Sequence, residues 1–157
     1  MTDIRLQAPN LPSPSDIIPH RDPRLYLSGL TALEPGVSAA GFWLPHPERD
    51  FEGHFDGMPV LQAVMQVESL AQLGACAVMI AEPNTVGVFE SIKEASFKRP
   101  VKPGDMLDLT IQIIDRTKRG FTGSGVITVD GLVTCEATIS GVLMLKAVAQ
   151  KLLGNKT

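Results

Sequence analysis

Cysteine, aromatic side chains and surplus positive charge are all scarce in this chain, and each shortage closes off a class of protein. Cys76 and Cys135 are the two cysteines in 157 residues, and they form no CxxC pair. Both sit in apolar surroundings, so two reduced core thiols are expected rather than a disulfide framework. Lysine and arginine number 14 against 17 aspartates and glutamates, a formal net charge of −3. Nucleic-acid binding draws on a basic surface, so this balance argues against it. No apolar run reaches about 18 residues without interruption, and no membrane span is expected. Residues 1–14 hold no apolar stretch of the signal-peptide kind, and a cytoplasmic protein is the expectation. A Gly-rich phosphate loop, an HExxH and a Cys/His cluster at ligand spacing are all missing, so neither nucleotide nor metal is expected.

What is present is ordinary in bulk, with 44% hydrophobic and 20% charged residues. That composition and length predict one globular domain over 1–157, large enough to bury roughly two-thirds of its unfolded surface. One stretch stands out. Gly53-His54-Phe55-Asp56-Gly57-Met58-Pro59 is a glycine-flanked loop carrying a histidine. It leads into the most apolar long run of the chain, Val60 to Ala81, interrupted by Glu68 and three glutamines. The run is too long for a strand, and Pro59 suits a first helical turn, so a helix over Pro59–Ala81 is predicted. Being apolar on nearly every face, it should be buried. A carboxylate inside such a helix is costly unless paired or used, which makes Glu68 and nearby His54 the first candidates for chemistry.

Around this helix the pattern is β. Residues 1–14, with three prolines, read as a loose lead-in, and Ser13–Ile18 as one helical turn ended by Pro19. Leu25–Leu33 and Val37–Leu44 read as a hairpin of two strands about Glu34-Pro35-Gly36. After Pro83-Asn84 come strands over Thr85–Phe97, Met106–Arg116, Phe121–Val129 and Leu132–Leu145, the last two joined by a hairpin turn at Asp130-Gly131. In Met106–Arg116, Leu107, Leu109, Ile111 and Ile113 share one face. The tail 146–157 is expected to fray, with a helical turn over Val148–Leu153 at most. Two strands before one long helix and four after it form an α+β pattern. A helix apolar on all sides must be wrapped, and a curved antiparallel sheet around it is the economical solution.

Three motifs now point to a family. Gly53-His54-Phe55-x-Gly57-x-Pro59-Val60 followed by Val64, Glu68 and Leu70-Ala71-Gln72 resembles the 3-hydroxyacyl-[acyl carrier protein] dehydratases. Ile18-Pro19-His20-Arg21-x-Pro23 is similar to that family's N-terminal motif, and Ala95-x-Phe97-Lys98-Arg99-Pro100-Val101-x-Pro103-Gly104-Asp105 to its strand-and-turn motif. The resemblance covers roughly residues 16–145 in the family's order. It implies a hotdog fold, a homodimer with one continuous sheet or a trimer of such dimers, and an active site at the subunit interface. It implies no cofactor, and as partner an acyl carrier protein bearing the acyl chain on phosphopantetheine.

The implied reaction removes water across C2 and C3 of a 3-hydroxyacyl thioester in fatty-acid or related lipid or polyketide synthesis. His54 of one subunit is the implied base for C2, with an unperturbed pKa near ~6.5 that suits neutral pH. Glu68 of the other subunit, buried in its apolar helix, is the implied acid, its pKa expected to be raised by desolvation. The first N–H groups of the helix, at Ala63 and Val64, would meet the thioester oxygen as it gains charge. Gly57, Gln72 and Phe97 are further candidates for substrate contact, though Gln72 could equally be a packing contact and Phe97 core or tunnel wall. Lys93, Lys98, Arg99 and Lys102 form either a solvated face or a docking patch for an acidic carrier protein. His20 is read as holding the N-terminal segment and His46 as a surface turn residue.

The departures are Gln62-Ala63 where the family carries Pro-Gly, Asp56 where proline is common, and Val88-Phe89 where a tyrosine-bearing pair is frequent. Ala63 keeps its N–H but loses glycine's conformational freedom. Three alternatives therefore stay open: a thioesterase on the same fold, a silent carrier-binding subunit, and an isomerase. The isomerising branch typically has aspartate at the Glu68 position.

Overall fold

A computed structural model describes residues 6–154, and the lead-in residues 1–5 and the last residues 155–157 fall outside it. Three helices and six strands follow in the order α1 Pro14–Ile17, β1 Gly29–Glu34, β2 Ser38–Trp43, α2 Ala63–Met79, β3 Thr85–Phe97, β4 Leu107–Thr117, β5 Gly120–Val129, β6 Leu132–Leu145 and α3 Lys146–Leu153. The strands make one antiparallel sheet in the order β1-β2-β4-β5-β6-β3. Helix α2 packs against β2 to β6. This is the helix wrapped by a sheet that the hydrophobic pattern demands.

Alternation places the core. Leu107, Leu109 and Ile111 of β4 and Cys135, Ala137, Ile139 and Leu143 of β6 are buried on the face toward α2. On β5 the inward positions run Phe121, Gly123, Gly125, Ile127; Gly125 lets the helix approach, and Gly123 makes room for Ile111 of β4. A Cβ on Gly125 would lie 2.7 Å from Leu70 Cδ2, and one on Gly123 2.7 Å from Ile111 Cδ1. The Asp130-Gly131 turn takes positive φ at both residues, 51° and 78°, the geometry that a two-residue hairpin requires.

Three expectations are corrected. The helix begins at Ala63 rather than Pro59, because residues 59–62 are drawn into an extended link in which the Leu61 N–H donates to the Val101 carbonyl. Residues 6–13 are not loose. Ala8 N–H donates to the Leu30 carbonyl, and Gln7 Oε1 accepts from Leu30 N–H at 2.6 Å, so the lead-in covers the open edge of β1. The tail from 146 continues as α3 through Leu153, with no buried residue, rather than fraying. Among the described residues no helix is long and apolar enough to cross a membrane.

The other edge of the sheet is open. Strand β3 pairs with β6 along one side only, and its middle exposes Val88, Phe89 and Ile92. A long exposed edge of this kind, with apolar side chains among its charged ones, is a template for another strand.

Candidate functional site

Glu68 lies one turn and a half into α2, on the stripe Glu68, Ala71, Gln72, Ala75 that the helical period turns to one side. That stripe forms one wall of a cavity of about 310 Å³. Gly87, Val88 and Phe89 of β3, with Phe121, Ile139, Ser140 and Gly141 of the sheet, form the rest, and Pro19 and His20 close it near Glu68. Its walls are mostly hydrocarbon, with the carboxyl, an imidazole and the Gln72 amide gathered at one end. Glu68 also lines a wider groove of about 610 Å³ with Arg24, Arg49, Gln62 and Val64. Its side chain is 35% exposed within the chain, so the expectation of a carboxyl sunk in the helix is not met here.

Gln72 builds this end of the cavity. It is 1% exposed, and all its polar capacity is turned inward. Its Nε2 donates to Glu68 Oε1 at 3.1 Å and to the Arg24 carbonyl at 2.9 Å, and its Oε1 accepts from the Tyr26 N–H at 2.8 Å. One amide thereby ties the segment before β1 to the helix and steadies the acid. His20, on that same segment, brings Nε2 to 3.6 Å from Glu68 Oε1. Both motifs are plain in the sequence but this contact between them is not, because 48 residues of chain separate His20 from Glu68. Gln66 meets its polar need elsewhere, its Oε1 accepting from Thr134 Oγ1 at 2.8 Å in the core.

His54 stands apart. Its Nδ1 is 2.9 Å from the Val60 carbonyl, and its ring stacks on Phe55 with centroids 4.1 Å apart. A ring nitrogen facing a carbonyl carries the proton, which leaves Nε2 as the free lone pair. Within one chain His54 and Glu68 do not meet, and His54 lines neither cavity of Glu68. Gly57 sits in the exposed loop with φ +72°, and Phe97 ends β3 half-exposed; they too line neither. Ala63 and Val64 are the first residues of α2, where N–H groups have no intrahelical acceptor, and Val64 reaches the wider groove. Because Ala63 is helical, an L-residue is at ease there, and glycine's freedom is not needed. Lys93, Lys98, Arg99 and Lys102 are all exposed around the end of β3 and the turn after it. His46 is a surface turn residue as expected, its Nδ1 accepting the N–H of Arg49 at 3.1 Å. Beside the wider groove Asp50, by its hydrogen bond, and Asp22 hold the Arg49 guanidinium above its ordinary pKa, against the opposing pull of desolvation.

Burial pushes the Cys76 thiol up to about 12, and burial with the charge of Glu136 pushes Cys135 up to about 11. Both thiols are therefore protonated core groups with no part in this site.

Known proteins agree with this architecture. The ApeI-like family, described as ApeI dehydratase, matches residues 37–131. A 3-hydroxyacyl-[acyl-carrier-protein] dehydratase FabZ of Bacillus subtilis is 42% identical over 128 residues, covering 80% of this chain and 91% of its own. The FabZ of Roseiflexus castenholzii is 42% identical over 127 residues, covering 78% and 88%. In three dimensions, the dehydratase heterocomplex ApeI:P from Xenorhabdus doucetiae superposes with a TM-score of 0.74 at 14% identity, over 92% of this chain and 99% of that one. A hypothetical thioesterase of Streptococcus pneumoniae, solved with coenzyme A, gives 0.59 at 10% identity over 74% and 84%. At these low identities the structural likenesses speak for the fold alone.

Proposed function

The chain belongs to the hotdog-type dehydratases, matching the ApeI-like family and the FabZ enzymes, and we propose that it dehydrates 3-hydroxyacyl chains carried on an acyl carrier protein. The observation that carries this reading is the carboxyl of Glu68 at the polar end of an apolar cavity, in a chain 42% identical to a dehydratase. The cavity suits an acyl chain, and the polar end suits its hydroxyl and thioester.

In this reading two copies of the chain make the site. Strand β3 adds to β3 of a second copy, covering Val88, Phe89 and Ile92, and the exposed loop with Phe55 and Met58 swings its histidine over the partner's helix. His54 Nε2 takes the proton from C2. The electron pair left there forms the C2=C3 double bond, the C3–O bond breaks, and Glu68 gives its proton to the departing oxygen as water. The N–H groups of Ala63 and Val64, at the positive end of α2, receive the charge that builds on the thioester oxygen. Lys93, Lys98, Arg99 and Lys102 supply the positive surface for an acidic carrier. Shielding by the second copy would also complete the burial of Glu68 that a single chain leaves unfinished.

The test follows the absorbance of enoyl thioester formed from a 3-hydroxyacyl thioester, with mass spectrometry of the product. Enoyl product from the intact protein and none from folded Glu68→Ala support the reading. Free acid as product, or full activity of Glu68→Ala, defeats it.

A further inference from the structure

The dehydration reading uses Glu68 and leaves the histidine beside it without a task. His20 sits in a turn that the fold fixes from three sides. Ile18 is anchored in the core, Arg21 Nη1 donates to the carbonyls of Ile18 and His20 at 2.9 and 2.7 Å, and Gln72 fastens Arg24 and Tyr26 to the helix. The ring lines the same cavity as Glu68. Its Nε2 is 3.6 Å from Glu68 Oε1, and its Nδ1 is buried with no hydrogen-bond partner.

These two facts choose the tautomer. A proton on Nδ1 would bury an N–H without an acceptor and turn the Nε2 lone pair against a carboxyl oxygen. A ring protonated at both nitrogens would also leave the Nδ1 proton unserved. A proton on Nε2 alone faces the carboxyl and leaves only a bare acceptor buried, which is the smaller cost.

Resting on the assignment of Glu68 as the acid, we propose that His20 is a positioning residue for the dehydration. Its Nε2–H and the Gln72 amide both bear on Oε1, leaving Oε2 as the oxygen that presents the proton to the leaving hydroxyl. The 3.6 Å separation lies just beyond hydrogen-bond length, and contacts of this kind tighten when substrate fills the site. Two fixed donors on one oxygen break the symmetry of the carboxyl and hold its plane, and an error of about 1 Å in such a group costs on the order of 100-fold in rate.

The experiment measures kcat and KM of the full chain on a 3-hydroxyacyl N-acetylcysteamine thioester, for three variants. His20→Gln can place an amide N–H near the position of Nε2, His20→Asn reaches only as far as Nδ1, and His20→Ala has no donor. The expected result is a fall in kcat of about 10- to 100-fold in His20→Ala and His20→Asn, with KM within about two-fold, and recovery to within about five-fold in His20→Gln. A kcat in His20→Ala equal to that of the parent overturns the proposal, as does His20→Gln no better than His20→Asn. Should His20→Ala fail to fold, the order of Gln over Asn decides alone. A merely structural histidine would lower thermal stability in all three and leave the kcat of the folded fraction unchanged. Glu68→Ala in the same series separates the two assignments. Turnover there defeats the acid, whereas a dead Glu68→Ala beside a fully active His20→Ala defeats only the role of His20.

Discussion

Substituting Gln72→Glu changes one atom of a side chain that is 1% exposed, and the structure sets what that atom costs. The amide nitrogen donates to both the Arg24 carbonyl and Glu68 Oε1, and the amide oxygen accepts from the Tyr26 N–H. A carboxylate there keeps the Tyr26 bond but turns negative oxygen against a carbonyl and a second carboxyl. The folded state therefore holds the new group protonated, and its pKa rises far above the unfolded value near ~4.3. At pH 7 keeping that proton costs about 4 kcal/mol, and at pH 5 about 1 kcal/mol. The sign follows from linkage. A folded pKa raised above the unfolded one leaves stability intact below about pH 4 and removes it as pH rises. For a domain of this size, roughly 2–4 °C of Tm accompanies each kcal/mol, so Gln72→Glu should melt about 8–15 °C below the parent at pH 7 and about 2–4 °C below at pH 5. Thermal unfolding followed by circular dichroism at the two pH values checks this. An equal Tm deficit at both, or none, would refute the claim that this amide is a sealed donor between the N-terminal segment and the acid.

Cys76 and Cys135 should resist thiol reagents in the folded protein at pH 8, and Cys76→Ala should flatten the alkaline loss of stability. With the Cys76 thiol raised from 9.0 to about 12, stability is full below pH 9 and declines as pH climbs toward 12, which melting curves at pH 8 and 10.5 would reveal. A Cβ on Gly87 would stand 3.5 Å from the Ala75 Cβ, an ordinary contact, so Gly87→Ala should fold while narrowing the cavity. Its ratio of long-chain to short-chain turnover, from competing thioesters, should drop by about 10-fold or more. Ile92→Lys puts a charge on the open edge of β3 and should yield a monomer by light scattering, with dehydration lost. A dimer of unchanged activity would move the second copy to another face.

Much of this protein is written locally. The strand spans Thr85–Phe97 and Leu132–Leu145 match their sequence patterns residue for residue, and the inward face of β4 follows from alternation alone. The Asp130-Gly131 turn is legible because two positive φ angles in succession favour those two residue types. The long apolar helix, its lone glutamate and the family motifs around it are equally plain, since each depends on neighbours within a few residues. The start of that helix was not legible: Pro59 is a sound first-turn residue, but a backbone bond from Leu61 to distant Val101 holds the link extended until Ala63.

The neighbourhood of the acid was decided in three dimensions. Composition and period put Glu68 on a helix, but only the packed chain sets its side chain against His20 and the Gln72 amide, with one flank open. The distance in sequence between those groups is bridged by a segment whose path depends on a buried amide and a core isoleucine, and no local propensity encodes such a path. Local sequence determines which residues form the helix, the strands and the turns, because those choices are made over a few bonds. Which polar groups share one end of a cavity is settled by packing, because that depends on every element closing at once.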